Sequence, residues 1–349
     1  MRKKTPVLYG ICSCLLLTGA EPRPAAQNDP THLRVNVVLV ELNIAVTDNK
    51  GNYVTDLRPE DFQVTEDKIP QKISTFEESA NADPGSNEIS RPGGMNRALG
   101  SNRASEADSA APDGAIVPVS HLNGASVFVL FDTSNYMYRN FVFAQDAITD
   151  FIRSMNEESK IAFYSYCRDL SRAIQLTTDQ SQVINGVRSS VAGDDAALYN
   201  SLLLTVKDAA PLKGRKAIVV FSNGPDNASS VPPEDVAELA QSTGTIIYIV
   251  STQQAQDDAL SAAAFERMSK VSGGKAYFAK NWREEKKAFA SIREDLVHLY
   301  TLSYYPQANP NRGWRSIKVK LVGKDLQKYH IRTRDGYRLT IQRIPNSQQ

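Results

Sequence analysis

The sequence predicts an α/β protein with a doubly wound, mostly parallel sheet, and a smaller all-β sandwich built from the N- and C-terminal segments. Two observations support this. Between residues 125 and 299, strand-like runs alternate with helix-like stretches, and several runs are apolar at every position, as expected when both faces of a sheet are covered. On either side of this region, β-branched and alternating patterns occur without helical periodicity.

Length and charge limit the classes of function. The chain has 349 residues, more than a single hydrophobic core usually supports, so we expect more than one domain. Lysine and arginine number 40 against 39 aspartates and glutamates, which gives a net charge of +1. Because this balance creates no global field, and no arginine-rich face with interleaved aromatic residues is evident, we do not expect nucleic-acid binding.

The first 26 residues have the features of an export signal. Basic residues at 2–4 precede an apolar stretch at 7–17 that is too short to span a bilayer comfortably, and small residues follow. We expect cleavage after Ala20 or after Ala26, with lipidation at Cys14 and retention as an uncleaved anchor as the alternatives. The protein is therefore expected to be secreted, periplasmic or at the cell surface, and to contact a membrane only if the segment is retained or lipidated.

The N-terminal β segment is predicted at residues 33–78. A long β-branched run leads to a turn at 49–52, and two shorter alternating stretches follow around 66–68. This segment is too short to close a two-sheet core alone. Residues 79–120 are rich in Asn, Ser, Ala, Gly and Pro, and they contain few large apolar side chains. We predict a disordered linker there, because such a segment buries too little surface to offset its ordering entropy.

The α/β region is predicted at 125–299. Its strand-like runs are SVFVLFD, KIAFYSYC, RAIQLTT, KAIVVFSN, TIIYIVST and KAYFAK. Its helix-like runs are FVFAQDAITDFIRSM, QSQVINGVRSSV, ALYNSLLLTVKDA, PEDVAELAQST, ALSAAAFERMSKVSG and REEKKAFASIREDLVHL. Repeated β-then-α units imply an open, doubly wound sheet. The pattern becomes β again at 300–343, and we predict that this C-terminal segment pairs with the N-terminal one.

Polar loops lie where such sheets bind ligands, beyond the carboxyl ends of the strands. One loop begins at Asp132 after the first strand, a second spans 192–200, and a third spans 221–227. Further motifs flank the α/β region. Before it stand Val46–Asp48, Gly51, Val54–Leu57, Glu60–Phe62, Glu66–Asp67 and Gln71–Ile73. After it stand Tyr300–Leu302, Tyr304–Pro306, Arg315–Ile317 and Arg334–Tyr337.

With these loops and motifs, the α/β region resembles a von Willebrand factor A domain. Nearly all of the chain apart from the signal and the linker resembles the secreted bacterial VWFA-related proteins first named from Acidobacteria. The resemblance implies a metal-ion-dependent adhesion site, in which Asp-x-Ser-x-Ser in the first loop, a Thr in the second and an Asp in the third hold a Mg²⁺ ion. One coordination position stays open, so that the ion bridges to a carboxylate of a partner protein.

This chain departs from that pattern at three positions. Asp132 and Ser134 match the first loop, but Tyr136 stands in place of the second serine. The threonine position falls on Ala196, and the aspartate position falls on Asn223. Since Mg²⁺ prefers about six oxygen ligands, the loss of one charge and two hydroxyls predicts a degenerate metal site of Asp132, Ser134 and Asn223, with weak or absent binding.

Other local carboxylates would have to compensate if Mg²⁺ or Mn²⁺ bound here, and those are Asp194, Asp195 and Asp226. We expect no cofactor. The competing interpretation is that Asp132 and Ser134 only brace the loop before the next helix, as such residues often do.

No arrangement of catalytic residues is evident. The four histidines, His32, His121, His298 and His330, lack metal-binding spacing, and neither a Gly-x-Ser-x-Gly elbow nor a phosphate-binding loop occurs. We therefore predict an exported protein-binding module of the adhesion type that is not an enzyme. The alternatives are a structural or assembly component without metal-dependent binding, and a hydrolase that would depend on Asp132.

Overall fold

The computed structural model describes residues 39–78, 124–252, 255 and 257–339. The predicted signal peptide and the predicted linker at 79–120 lie outside the described residues. The strands are β1 (Val40–Thr47), β2 (Phe62–Glu66), β3 (Ile69–Gln71), β4 (Ile73–Glu78), β5 (Ser126–Asp132), β6 (Lys160–Tyr166), β7 (Leu170–Thr177), β8 (Lys216–Ser222), β9 (Ile246–Thr252), β10 (Ala276–Ala279), β11 (Tyr300–Tyr304), β12 (Trp314–Leu321), β13 (His330–Arg332) and β14 (Gly336–Arg338). The α-helices are α1 (Phe141–Ser154), α2 (Gln180–Arg188), α3 (Leu198–Ala209), α4 (Pro233–Thr243), α5 (Ala259–Ser272) and α6 (Trp282–Val297).

A six-stranded sheet forms the centre of the α/β region, with the strand order β10-β9-β8-β5-β6-β7. All neighbours pair in parallel except β6 and β7, which pair antiparallel. The exception follows from the short turn at 167–169, because a parallel pair needs a crossover connection. Helices α1, α2 and α6 pack against one face of the sheet, and α3, α4 and α5 pack against the other. The predicted doubly wound, mostly parallel sheet is confirmed.

Local sequence signals set several helix ends. The side chains of Asp179 and Asn281 accept hydrogen bonds from backbone N–H groups in the first turns of α2 and α6, which satisfies donors that the helices leave free. Helices α4 and α5 end at Gly244 and Gly273, which adopt the left-handed conformation with φ of 68° and 89°. No helix in the described part of the chain combines the length and the apolar character needed to cross a bilayer.

The remaining strands form two four-stranded antiparallel sheets, ordered β13-β1-β11-β4 and β14-β12-β2-β3. Strand β11 from the C-terminal segment lies between β1 and β4, and β12 pairs with β2. Apolar side chains of both sheets share one core that includes Leu42, Ile44, Val64 and Leu302. The smaller all-β sandwich built from the N- and C-terminal segments is therefore confirmed.

A buried charge cluster connects the two sheets. Glu66 is fully buried, and Arg315 donates to it at 2.7 Å, while the hydroxyls of Tyr304 and Tyr337 donate at 2.9 and 3.0 Å. Burying a carboxylate is costly unless it is paired and hydrogen-bonded, and here both oxygens have donors. These four residues belong to the motifs that flank the α/β region, so the flanking motifs meet in the sandwich core.

Cationic side chains occupy the carboxyl ends of several helices at the base of the α/β sheet. Arg334 donates to the carbonyl of Gln241 at the end of α4 and to that of Glu41 in β1. Arg332 donates to Gly273 at the end of α5 and pairs with buried Asp295 of α6.

Two residues at the start of β8 act in the same way. Arg215 donates to the carbonyl of Leu296 at 2.9 Å, and Lys216 donates to that of Leu212 at 2.7 Å, just beyond α3. Cations are favoured at helix carboxyl ends by the helix dipole. The sandwich is thus attached to the base of the sheet, and the carboxyl ends of the parallel strands, with their polar loops, face away from it.

Candidate functional site

The first polar loop starts at Asp132, the last residue of β5, which is only 1% exposed. One carboxylate oxygen accepts the backbone N–H of Ser134 at 2.9 Å, and the other accepts the hydroxyl of Ser222 at 2.9 Å. The Ser222 hydroxyl in turn accepts from Tyr166 at 3.0 Å. Burial raises the pKa of Asp132, and the hydrogen bonds from these serines oppose that rise. Asp132 therefore braces the ends of β5 and β8 through both of its oxygens.

The other side chains of this loop differ in how fully they are engaged. The Thr133 hydroxyl donates to the carbonyl of Tyr166 at 2.9 Å. The Ser134 hydroxyl is buried next to Asp132 and makes no hydrogen bond of good geometry with any described residue. Its proximity nevertheless opposes the rise that burial causes in the pKa of Asp132, so the Ser134 hydroxyl is oriented towards that carboxylate.

The third loop is joined to the first by an amide. The Nδ2 of Asn223 donates to the carbonyl of Tyr136 at 2.5 Å, and its Oδ1 accepts from the hydroxyl of Thr252 at the end of β9. An asparagine side chain both donates and accepts, whereas an ionised aspartate only accepts. The Tyr136 side chain is half-buried and packs against the apolar layer under α3, α4 and α5.

The second loop is joined to the third mainly through its backbone. Ala196 is buried in the same apolar layer, its N–H donates to the Oδ1 of Asn227 at 2.8 Å, and its carbonyl accepts from the N–H groups of Asn227 and Ala228. The structure thus brings the three loops together, and we call the residues Asp132, Ser134, Tyr136, Ala196 and Asn223 the loop cluster.

Two of the three nearby carboxylates, those of Asp195 and Asp226, have other partners. Asp195 pairs with Arg168 and accepts from Asn227, at the surface. Asp226 accepts from the backbone of Tyr199 at 2.9 Å, in the first turn of α3, and from that of Ser229 at 2.8 Å. The third, Asp194, is exposed, and only its backbone carbonyl takes part in joining the loops, by accepting from the N–H of Asn135. Among the described residues, no three His, Cys, Asp or Glu side chains form a group able to hold a metal ion.

Exposed apolar side chains lie at the same end of the sheet as the loop cluster, and the sequence patterns did not lead us to predict them. Of the large hydrophobic residues with high exposure, six lie in loops or first helical turns at this end of the sheet, namely Tyr138, Val142, Phe143, Val191, Leu260 and Trp282. Tyr138 is 69% exposed and Val142 is 62% exposed. The sequence did contain a signal for them. The stretch YMYRNFVF places several large apolar residues directly after the polar residues of the first loop. We call these six residues the apolar rim.

Two pockets open at the same end. The larger one, about 580 Å³, lies between β6, β7 and α2, and its lining includes Thr133, Cys167 and Asn185. The smaller one, about 350 Å³, is lined by Asn140, Phe143, Thr252, Ala279, Lys280, Asn281, Trp282 and Glu285. Thr252 links the smaller pocket to the loop cluster, because its hydroxyl donates to Asn223.

Comparison with known proteins identifies the α/β region. Residues 126–291 match the family model of the von Willebrand factor type A domain. No curated protein matches the sequence. Similar solved structures include the conserved hypothetical protein BatB from Bacteroides thetaiotaomicron, with 15% identity and a TM-score of 0.42, over 49% of this chain and 98% of that one. They also include the vWF domain of the type V pili tip protein Mfa5 from Porphyromonas gingivalis, with 12% identity and a TM-score of 0.42, over 49% of this chain and 94% of that one.

A third similar structure is proximal thread matrix protein 1 from the mussel byssus with a zinc-occupied MIDAS motif. It shares 13% identity with this chain at a TM-score of 0.42, and the match covers 50% of this chain and 48% of that one.

Proposed function

Residues 126–291 form a von Willebrand factor type A domain, and on that premise we propose that this chain is an exported protein-binding module. Its contact surface is the end of the sheet that carries the loop cluster and the apolar rim. It binds its partner without a resident metal ion, and it is not a catalyst.

The observation that carries this proposal is that direct hydrogen bonds join the three loops. Asn223 donates to the first loop, and Ser222 donates to Asp132. A divalent ion of the Mg²⁺ type needs about six oxygen ligands, with charge from carboxylates. Asp132 already uses both oxygens, Asn223 is neutral, and Ala196 offers no side-chain oxygen. The donor set therefore does not fit Mg²⁺ or Mn²⁺.

The apolar rim supplies what a metal-free contact surface requires. Protein interfaces are enriched in aromatic residues, and their binding energy concentrates in a few large side chains. Tyr138, Phe143 and Trp282 are such residues, and they are 69%, 59% and 49% exposed. The net charge of +1 gives no support to a nucleic-acid partner.

An extracytoplasmic location is supported by the sequence of residues 1–26, with its basic start and short apolar stretch. A hydrolase that uses Asp132 is not favoured, because that carboxylate is 1% exposed and both of its oxygens accept hydrogen bonds from the protein. If the chain were instead a structural component whose contacts lie elsewhere, changes in the apolar rim would leave binding unaffected. The same experiment therefore tests this alternative.

The test is capture of partners from the extracytoplasmic fraction, with residues 27–349 as bait. We expect the double variant Tyr138→Ser, Val142→Ser to capture at least about tenfold less partner, since truncating an aromatic hot-spot residue such as tyrosine costs about 2 kcal/mol or more. The matched control is Tyr305→Ser, Val322→Ser, which removes the same two residue types from the sandwich, where they are 54% and 51% exposed. Equal capture by both double variants would refute the proposed surface.

A further inference from the structure

Glu285 places a buried carboxylate at the smaller pocket, and no side chain that the structure describes pairs with it. It lies in the first turn of α6, is 5% exposed and lines the pocket. Its Oε2 is inaccessible to solvent and has no hydrogen-bond partner among the side chains that the structure describes. Burial raises the pKa of this carboxyl.

The helix start does not require this residue. An acidic side chain in the first turn is favoured by the helix dipole, but the neighbouring Glu284 already provides one and also accepts from the backbone of Lys280 at 2.8 Å. The side chain of Asn281 accepts from the first N–H groups of α6. Since a buried unpaired acid is costly, the position of Glu285 needs a reason outside the fold of this segment.

The surroundings of Glu285 are suited to an organic cation. Phe143 and Trp282 supply aromatic walls, and aromatic faces attract ammonium and guanidinium groups. Trp282 already attracts the cations of its own helix, with Arg283 at 5.0 Å and Lys286 at 5.6 Å from the ring centroid. Asn140, Thr252 and Asn281 add polar side chains to the lining. The remaining lining charge is Lys280, which is exposed to solvent.

We propose that this pocket binds the ammonium or guanidinium group of a lysine or arginine side chain from the protein partner, with Glu285 as its counter-ion. The source of that side chain rests on the proposed function, whereas the cation site itself does not. Because Thr252 links the pocket to Asn223, the partner's basic residue would lie next to the loop cluster.

The test is isothermal titration of residues 27–349 with two probes, agmatine and the peptide acetyl-Gly-Lys-Gly-amide. We expect saturable binding of both in the millimolar range, and Glu285→Gln should weaken it by about tenfold or more, because a charge-assisted hydrogen bond is lost. Glu266→Gln is the matched control, since it removes an exposed acid from α5 and should leave the affinity unchanged. Lys280→Gln should tighten binding, because it removes a like charge from the lining.

A second measurement separates binding from folding. The Glu285→Gln variant should melt at the same or a higher temperature than the unmodified chain, because the cost of burying an unpaired charge is removed. A purely structural role for Glu285 predicts a lower melting temperature instead, and that result would overturn the inference.

Three other outcomes would also overturn the proposal. They are the absence of saturable binding, an affinity of Glu285→Gln for both probes that is unchanged from that of the unmodified chain, and binding of the acidic peptide acetyl-Gly-Glu-Gly-amide as tightly as the lysine peptide. Binding of agmatine without the peptide would overturn the assignment to a partner side chain and indicate a small amine. These titrations use the purified chain alone, so their failure is distinguishable from failure of the partner-capture experiment.

Discussion

At the scale of single residues, one amide makes a direct bond between the first and third loops. The Nδ2 of Asn223 points a donor at the Tyr136 carbonyl 2.5 Å away. An aspartate there would place an oxygen against that carbonyl, and two acceptors at this distance repel unless a cation lies between them. The neutral amide of Asn223 therefore bonds directly to the Tyr136 carbonyl, whereas a carboxylate at this position would need a cation between the two groups.

This argument predicts how the chain responds to metal ions. Millimolar Mg²⁺ or Mn²⁺ should leave the melting temperature of the unmodified chain unchanged, because the donor set lacks charge and hydroxyls. The triple variant Tyr136→Ser, Ala196→Thr, Asn223→Asp restores them, and its melting temperature should rise with ion concentration. A stabilisation of about 2.7 kcal/mol is expected at a hundredfold excess over the dissociation constant.

The control for this prediction is the triple variant with Asp132→Asn added, which should lose the metal response because the remaining first-loop carboxylate is gone. Differential scanning fluorimetry across an ion series suffices for all the proteins. A rise in the melting temperature of the unmodified chain with millimolar Mg²⁺ would contradict the metal-free proposal.

Sequence reasoning recovers some of these residues and misses others for a physical reason. The meeting of the Asp132 and Asn223 loops follows from parallel strands, whose carboxyl ends share one edge of the sheet. Glu285 could not be recognised in the same way. An acid in a first helical turn is an ordinary start signal, and its burial arises only when α6 packs beside residues 140 and 143, far away in the chain.

At the scale of elements, the backbone that connects α5 to β10 passes very close to the backbone of β9. A Cβ added at Gly274 would lie 2.0 Å from the carbonyl oxygen of Ile247 in β9. The Gly274 N–H donates to Ser269 at 2.8 Å, so the residue also closes the end of α5. The glycine pair at 273–274 gives a helix stop in the sequence, but the close approach to β9 is a tertiary feature.

Gly274→Ala should therefore destabilise the fold by about 2 kcal/mol or more, within the range for overpacking at a rigid site. The contacting atoms belong to a sheet backbone, which cannot shift cheaply. Gly313→Ala is the control, because the nearest atom to its added Cβ would be the Oδ1 of Asn311 at 3.5 Å. The stabilities of both variants can be compared by their midpoints of unfolding in urea. Equal midpoints would contradict the claim that the close approach at Gly274 excludes a side chain.

At the scale of the whole molecule, residues far apart in sequence complete one another. Glu66 from the N-terminal segment is neutralised by Arg315 and hydrogen-bonded by Tyr304 and Tyr337. Alternation of apolar residues predicts that both segments form strands. It does not predict the order of strands in the two sheets, because that order depends on which apolar faces close over the shared core. The attachment of the sandwich to the α/β sheet is similarly absent from any local pattern.

That attachment gives the last prediction, which concerns cooperativity. Arg332 pairs with Asp295, which is 1% exposed, and Arg334 donates to the carboxyl end of α4. Removing one partner of a buried ion pair typically costs 3–5 kcal/mol, because a charge is left uncompensated. The unmodified chain should therefore unfold in one calorimetric transition that includes the sandwich and the α/β domain.

In the variant Arg332→Met, Arg334→Met, the interface loses both guanidinium groups, and the sandwich and the α/β domain should unfold in two separate transitions. The control Lys318→Met, Lys320→Met removes two exposed cations from β12 and should still unfold in one. Scanning calorimetry distinguishes one transition from two by the ratio of the calorimetric to the van't Hoff enthalpy of unfolding, which is one for a two-state unit. If the arginine variant kept a ratio of one, the two parts would be coupled through contacts other than these arginines. If the unmodified chain already showed two transitions, the sandwich would not act as a rigid base for the loop cluster and the apolar rim.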